Sequence, residues 1–306
     1  KPVDTGLLVL PLFHIFGMTA LMNAGVYRGC TNILLSRFDP ETVFEMMQHH
    51  KVSIFAGVPT MYWGLLNYNN PKFDYDAIAK NLRYCISGGA SLPVKVIEEF
   101  EQRFHVAIVE GYGMSEGSPA VTFNQLSVGR KPGSVGTPIW GVEVKLVDTD
   151  GNEVPVGEKG ELLYRGHNVM KGYYKKPAET EKALKNGWLY SGDIAVRDED
   201  GFYFIVDRTK DMINRGGCKV YPREIEEVMI KHEAVSMVAV IGIPHEEFGE
   251  EVKAFVVLKE GRAIADTDLI KWTKERVASY KYPRHIEFLT SLPMSATGKI
   301  LKKELR

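Results

Sequence analysis

An alternation of two hydrophobic periods constrains this chain more than any other feature. From residue 1 to residue 111, short apolar runs of strand length alternate with stretches of helical pattern. They are "GLLVL", a helical pattern over Phe13 to Tyr27, "TNILL", Glu41 to Gln48, "VSIFAGV", Met61 to Asn67, "RYCIS", Val94 to Phe104 and "VAIVEGY". The apolar runs suit strands buried on both faces, so the pattern predicts a doubly wound α/β layer of mostly parallel strands. The chain opens at Lys1 with no initiator Met, and "DTGLLVLPLF" reads as a strand entered in mid-fold. A missing N-terminal part is therefore expected.

The texture changes after Thr122. Short strands follow, separated by Gly, Pro, Asn and Asp, with turn signals at Asp150-Gly151 and Asp200-Gly201, and they predict a small, distorted β-barrel over 123–208. From Thr209 an α+β pattern begins. Pro222 stands at a first helical position, with Ile225, Val228 and Met229 on one face. "VSMVAVIGI", "VKAFVVL", a helix from Asp268 to Ser279 and "HIEFL" complete it. The expected organisation is a large domain over 1–208, itself an α/β part (1–122) and a β part (123–208), and a small domain over 209–306.

Composition narrows the function by exclusion. With 38 basic and 39 acidic residues there is no global field to draw in nucleic acid or an anionic membrane. Cys30, Cys85 and Cys218 lie far apart, without a CxxC pair or a His-Cys cluster at zinc spacing, and read as reduced thiols. No apolar run reaches the length of a membrane span. A soluble, cytoplasmic protein is expected, and oligomeric state is left open, a homodimer included.

Several stretches could carry chemistry. "EGYGMSEGSP" sets Tyr112, Gly113, Ser115 and Glu116 directly after a buried strand, where open α/β sheets bind ligands. Ser115 could donate to a phosphate, Glu116 could hold Mg²⁺ and Tyr112 offers a flat face to a base. The same residues also suit a glycine turn with a Ser-Glu cap. "SGGASLP" likewise follows a strand, and Gly88 and Gly89 would let backbone approach a planar ligand; Ser91 and Pro93 equally suit a helix entry. In "LYSGDIA", Asp193 is either a ribose-binding carboxylate or a structural turn residue. "DRTKDMINRGGCK" reads as a solvated charged turn before Gly216-Gly217. His14, between aromatics, is either structural or faces a carboxylate substrate. In "SATGKI", Lys299 follows a glycine, but the first glycine and the hydroxyl of a P-loop are lacking; a GxGxxG dinucleotide turn is absent too.

The order of these pieces is more specific than any one of them. LPLFHIFG, SGGA, YGMSEGSP, GYY (172–174) with PAET (177–180), WLYSGD, DRTKDMI and PMSATGKI together resemble the adenylate-forming superfamily, and within it the acyl-CoA synthetases, especially fatty-acyl-CoA ligases. The resemblance runs the length of the chain. It implies a two-step reaction, in which a carboxylate attacks the α-phosphate of Mg-ATP to give acyl-adenylate and coenzyme A then displaces AMP. It also implies roles. Gly88, Gly89, Ala90, Tyr112 and Gly113 would surround adenine, Ser115 would contact phosphate, Glu116 would hold Mg²⁺, Asp193 would take the ribose hydroxyls with Arg208 assisting, and His14 would lie near the acyl carboxylate. Lys299 matches the family's adenylation lysine, carried on a C-terminal domain that rotates about a residue matched by Lys210 and brings Gly216-Gly217 toward coenzyme A. Lys302 and Lys303 read as a solvated tail.

The resemblance also marks a departure. The family's Ser/Thr/Gly-rich phosphate loop, ending in Pro-Lys, belongs upstream of LPLFH and is not in this chain, so an impaired fragment that at most binds nucleotide is one alternative. "FHIFGM" lacks the Asp with which amino-acid-activating relatives meet an ammonium, which disfavours an amino acid. The acyl pocket implied by the resemblance comprises Tyr62, Trp63, Gly89, Ser118 and Ala120, suited to a medium or long fatty acid, with an aryl acid of the coumarate type as the alternative. A luciferase-like relative shares the same motifs.

Overall fold

A computed structural model describes residues 4–295 and 297–306; Ala296, within the last motif, lies outside them. Two compact units divide the chain. The first comprises Lys1–Ser191, Val196–Ile205 and Thr297–Lys299, and the second comprises Gly192–Ala195, Val206–Ala296 and Ile300–Arg306. No helix among the described residues is long and apolar enough to cross a membrane.

The alternating pattern folds into a seven-stranded sheet. Its strands are β1 (Thr5–Leu8), β2 (Thr31–Leu34), β3 (Ile54–Gly57), β4 (Tyr84–Ser87), β5 (Ile108–Gly113), β6 (Ala120–Phe123) and β7 (Thr137–Pro138), in the order β2-β1-β3-β4-β5-β6-β7. The first five in that order run parallel, and β6 and β7 are antiparallel additions. Leu7, Leu8, Phe55, Ala56, Cys85, Ile108 and Val109 are all buried, as strands covered on both faces require. Around them lie α1 (Ala24–Arg28), α2 (Pro40–His50), α3 (Pro59–Asn67), α4 (Tyr75–Asn81) and α5 (Val94–Phe104). Local chemistry sets their ends. Asp39 accepts from Thr42 N–H ahead of Pro40 at the start of α2, and Asp74 accepts from Ala77 N–H at the start of α4. In α5 the buried side chains are Val96, Ile97, Phe100 and Phe104, a single stripe.

Two helical expectations need correction. Ser91 does not cap α5: Pro93 is the capping position, with no side-chain bond, and the incoming Leu92 N–H instead meets the buried Glu110 carboxylate at 3.4 Å. Ahead of α1, Phe16–Asn23 is wound as a π-helix rather than an α-helix.

A second sheet follows the first. It holds β8 (Val142–Val147), β9 (Lys159–Gly166), β10 (Leu184–Lys185) and β11 (Trp188–Arg197) in the order β10-β11-β9-β8, with β12 (Tyr203–Arg208) paired to β11, and α6 (Pro177–Ala183) precedes β10. Both Asp-Gly signals are turns here. Asp148 accepts from Asp150 and Asn152 N–H, and Asp198 accepts from Phe202 N–H.

In the second unit, β13 (Ile213–Arg215), β14 (Cys218–Val220), β15 (Val235–His245), β16 (Gly249–Leu258) and β17 (His285–Phe288) form a sheet accompanied by α7 (Pro222–Met229) and α8 (Asp266–Lys274). The period of two on β15 sorts its side chains. Val238 and Val240 join the cluster containing Ile225, Met229 and Leu269 from the helices, while Ala239 and Ile241 join Phe255, Leu292, Met294, Ile300 and Leu305 on the other face. Helix α8 stops at Lys274 rather than Ser279, because no side chain from Glu275 to Ser279 is buried to offset the cost of extending it. Val228 is half-buried, beside the fully buried Ile225 and Met229.

Candidate active site

The loops at the carboxyl ends of β4 and β5 hold the first group of predicted residues. After β4, Gly88 is buried, and a Cβ there would lie 3.2 Å from the Phe16 ring; Gly89 follows with φ +81°, a conformation only glycine adopts without strain, and Ala90 is exposed. After β5, Tyr112 and Gly113 pair with β6. A Cβ on Gly113 would stand 1.7 Å from the Pro119 carbonyl oxygen, so this glycine is required by packing. The chain then makes a 3₁₀ turn over Ser115–Gly117, with Ser115 exposed and Glu116 half-buried. The expected Ser-Glu cap is absent: Met114 is the capping position and no side chain bonds there.

Glu116 is held from a distance in sequence. Tyr173 Oη donates to Glu116 Oε1 at 2.8 Å, and Met170 N–H donates to the Glu116 carbonyl at 2.9 Å. Tyr173 is set in turn by Thr180, whose Oγ1 accepts from Tyr173 N–H and donates to the Lys176 carbonyl, both at 2.9 Å. Burial, then the Glu116 carboxylate, pushes the Tyr173 phenol up to about 12. The GYY and PAET motifs have no role that the local sequence alone assigns. Their signal was the pairing itself, since Gly172 (φ +148°) lets the backbone lie against Thr180, where a Cβ would sit 2.8 Å from Cγ2.

His14 Nδ1 accepts from Phe16 N–H at 3.2 Å, so a neutral ring carries its hydrogen on Nε2. Burial, then the charge of Lys299, lowers its pKa and keeps it neutral. Within the same unit Thr60 Oγ1 donates to the Gly298 carbonyl at 3.2 Å, and a Cβ on Gly89 would lie 3.4 Å from Lys299 Cε. The first unit thus gathers His14, Gly89 and Lys299.

The acyl-pocket expectation is corrected at Tyr62. Its side chain is fully buried, edge-on to Phe55 and Phe100, and its hydroxyl donates to the Ile86 carbonyl at 2.6 Å; core packing uses all of its surface. Trp63 is half-buried against the same core, Ser118 is exposed with φ +53°, and Ala120 is half-buried on β6.

The second unit holds Asp193 and Arg208. Asp193 lies within β11, not in a turn, and is buried, with Oδ1 accepting from Arg208 Nε at 3.0 Å. The DRTKD stretch departs from the solvated turn expected. Asp207 is buried: Oδ1 accepts from Arg208 N–H and Oδ2 from Arg223 N–H, which places a carboxylate at the start of α7. Burial raises its pKa against the opposing pull of Lys302. Lys302 likewise is not a solvated tail residue. It pairs with Glu226 at 2.8 Å, and Glu226 Oε1 also accepts from Val240 N–H. Lys303 is exposed, as expected. Lys210 is exposed in a 3₁₀ turn over Thr209–Asp211, and Gly216-Gly217 (φ +56° and +84°) turn the hairpin between β13 and β14.

Comparison with known proteins bears on what this arrangement is for. The AMP-binding enzyme family matches residues 1–174, more than half the chain, and the AMP-binding enzyme C-terminal domain matches residues 224–299. A long-chain-fatty-acid–CoA ligase of Bacillus subtilis (strain 168) is 41% identical over 298 residues, covering 97% of this chain and 53% of that protein. A feruloyl-CoA synthase of Amycolatopsis sp is 39% identical over 304 residues, covering 99% of this chain and 61% of that protein. This chain therefore spans between half and two thirds of the length of these relatives. The crystal structure of ATP-bound MatB from Rhodopseudomonas palustris superposes with a TM-score of 0.94 at 33% identity, covering 100% of this chain and 60% of that one. Matched by its model over residues 1–174, this chain belongs to the AMP-binding enzyme family.

Proposed function

We propose that this chain supplies nucleotide- and acid-activating residues of an ATP-dependent acid–coenzyme A ligase, which forms an acyl-adenylate and then a thioester. The observation that carries the reading is Glu116, half-buried after the exposed Ser115 at the carboxyl end of β5, the last of the parallel strands, and aligned by a neutral phenol. The relatives named as a CoA ligase and a CoA synthase support the reaction class.

In this reading Gly88, Gly89 and Ala90 give adenine close backbone approach, Tyr112 and Gly113 flank it, and Ser115 donates to phosphate. Mg²⁺ is usually held by one or two carboxylates together with substrate phosphates and water. Glu116 would hold it, and the ion would offset phosphate charge. Asp193, oriented by Arg208, accepts from the ribose hydroxyls. His14, neutral and bearing hydrogen on Nε2, donates to the acid's carboxylate. The Lys299 ammonium meets the charge that builds between that carboxylate and the α-phosphate. Residues 209–306 act as a mobile domain turning at Lys210, and the Gly216-Gly217 turn serves the coenzyme A side.

A medium or long fatty acid is the favoured substrate class, entering beside Trp63, Gly89, Ser118 and Ala120. An aryl acid is the second reading, favoured by the 39% identity to a feruloyl-CoA synthase. ATP–pyrophosphate exchange and thioester formation, measured with the intact gene product on straight-chain fatty acids and hydroxycinnamates, test both. Turnover on fatty acids at least tenfold above hydroxycinnamates is expected. The reverse order selects the aryl reading, and no exchange with either class sinks the ligase proposal.

A further inference from the structure

We infer that Tyr173 is a positioning residue for the metal-bearing carboxylate, an inference that rests on the reading of Glu116 given above. The two residues are 57 positions apart, yet Tyr173 Oη donates to Glu116 Oε1 at 2.8 Å. A carboxylate on a short turn can rotate about its last torsion. A phenol donating to one oxygen stops that rotation and directs the other oxygen outward. A neutral donor does this without consuming the negative charge that a cation needs, as Arg or Lys would.

The phenol is itself fixed at its backbone. Thr180 Oγ1 receives the Tyr173 N–H and passes a hydrogen bond to the Lys176 carbonyl, while Gly172 brings the backbone close enough for this to happen. From the other side, Met170 N–H holds the Glu116 main chain. The GYY and PAET motifs thus form one clamp: glycine for approach, threonine for the backbone and tyrosine for the carboxylate. Tyr174, beside it, is exposed and takes no part in these bonds.

The test uses the intact gene product and a double-mutant cycle of Tyr173→Phe and Glu116→Gln. Calorimetric binding of ATP, titrated across Mg²⁺ concentrations, is read beside pyrophosphate exchange and thermal melting. Tyr173→Phe is expected to raise the Mg²⁺ concentration for half-maximal ATP binding several-fold, to leave ATP binding in the presence of EDTA unchanged, and to have no further effect in the Glu116→Gln background. A purely structural tyrosine would lower the melting temperature and leave the Mg²⁺ dependence where it was. If Glu116→Gln shifts the Mg²⁺ dependence and Tyr173→Phe does not, the positioning role is overturned while the reading of Glu116 stands. If Glu116→Gln shifts nothing, both fall together.

Discussion

Two places in this chain fix acidic side chains by hydrogen bonds, and they do so differently. After β5, Glu116 is half-buried and its orienting neighbour is a neutral phenol. At the foot of α7, Asp207 and Glu226 are tied to backbone N–H groups, and Lys302 pairs with Glu226. The first arrangement aims a charge and leaves it unneutralised; the second uses charges against one another and against a helix end. A buried acid is therefore a poor guide to function by itself. What the partner is, cation or neutral donor, separates the two cases.

The sharpest way to break this comparison is to disturb the glycine floor beneath Glu116. Gly113→Ala would drive a methyl group to 1.7 Å from a carbonyl oxygen, and a stability loss above about 4 kcal/mol is expected. Denaturant unfolding, or failure to recover folded protein, measures it; a well-folded, active variant would show that the floor gives way easily. Lys299→Ala comes next. Adenylate formation is expected to fall on the order of 10²–10³-fold while thioester formation from supplied acyl-adenylate is largely kept. Equal loss of both half-reactions would remove the division of roles.

The smallest effect is at the foot of α7. Lys302→Met should cost on the order of 2 kcal/mol by leaving Glu226 and Asp207 without their cation. Burial lowers the Lys302 pKa, but Glu226 and Asp207 outweigh it and hold it above the ordinary 10.5. A raised folded-state value means that the stabilisation is fully present below pH 10.5 and fades as pH rises through the folded value. The alkaline loss of stability should accordingly be shallower in Lys302→Met than in the parent. Parallel curves for the two proteins would return Lys302 to the solvated tail.

The layer of buried parallel strands and the Asp-Gly turns were legible because each answers a local demand. Buried parallel strands need unbroken apolar runs, and Asp150-Gly151 and Asp200-Gly201 set positive-φ glycines in tight turns. The acid partners were not legible. Tyr173 meets Glu116 across 57 residues, Asp207 reaches the start of α7 from β12, and Lys302 reaches back to Glu226. Local pattern carries no information about such meetings. Tyr62 fails for the same reason: an aromatic beside a site motif looks like a pocket wall until its neighbours Phe55 and Phe100 are known.

The outer face of β15 bears on how the terminal lysines can be studied. Leu292, Met294, Ile300 and Leu305 roof that face over Ala239, Ile241 and Phe255. The last stretch of chain is thus a shingle on the second core as well as the carrier of Lys299. Clipping it, by protease or by a stop codon, would wet an apolar surface and remove the Lys299 side chain in the same stroke. Such a truncation would mix the loss of an apolar cover with the loss of the proposed lysine, and only side-chain substitution keeps the two apart.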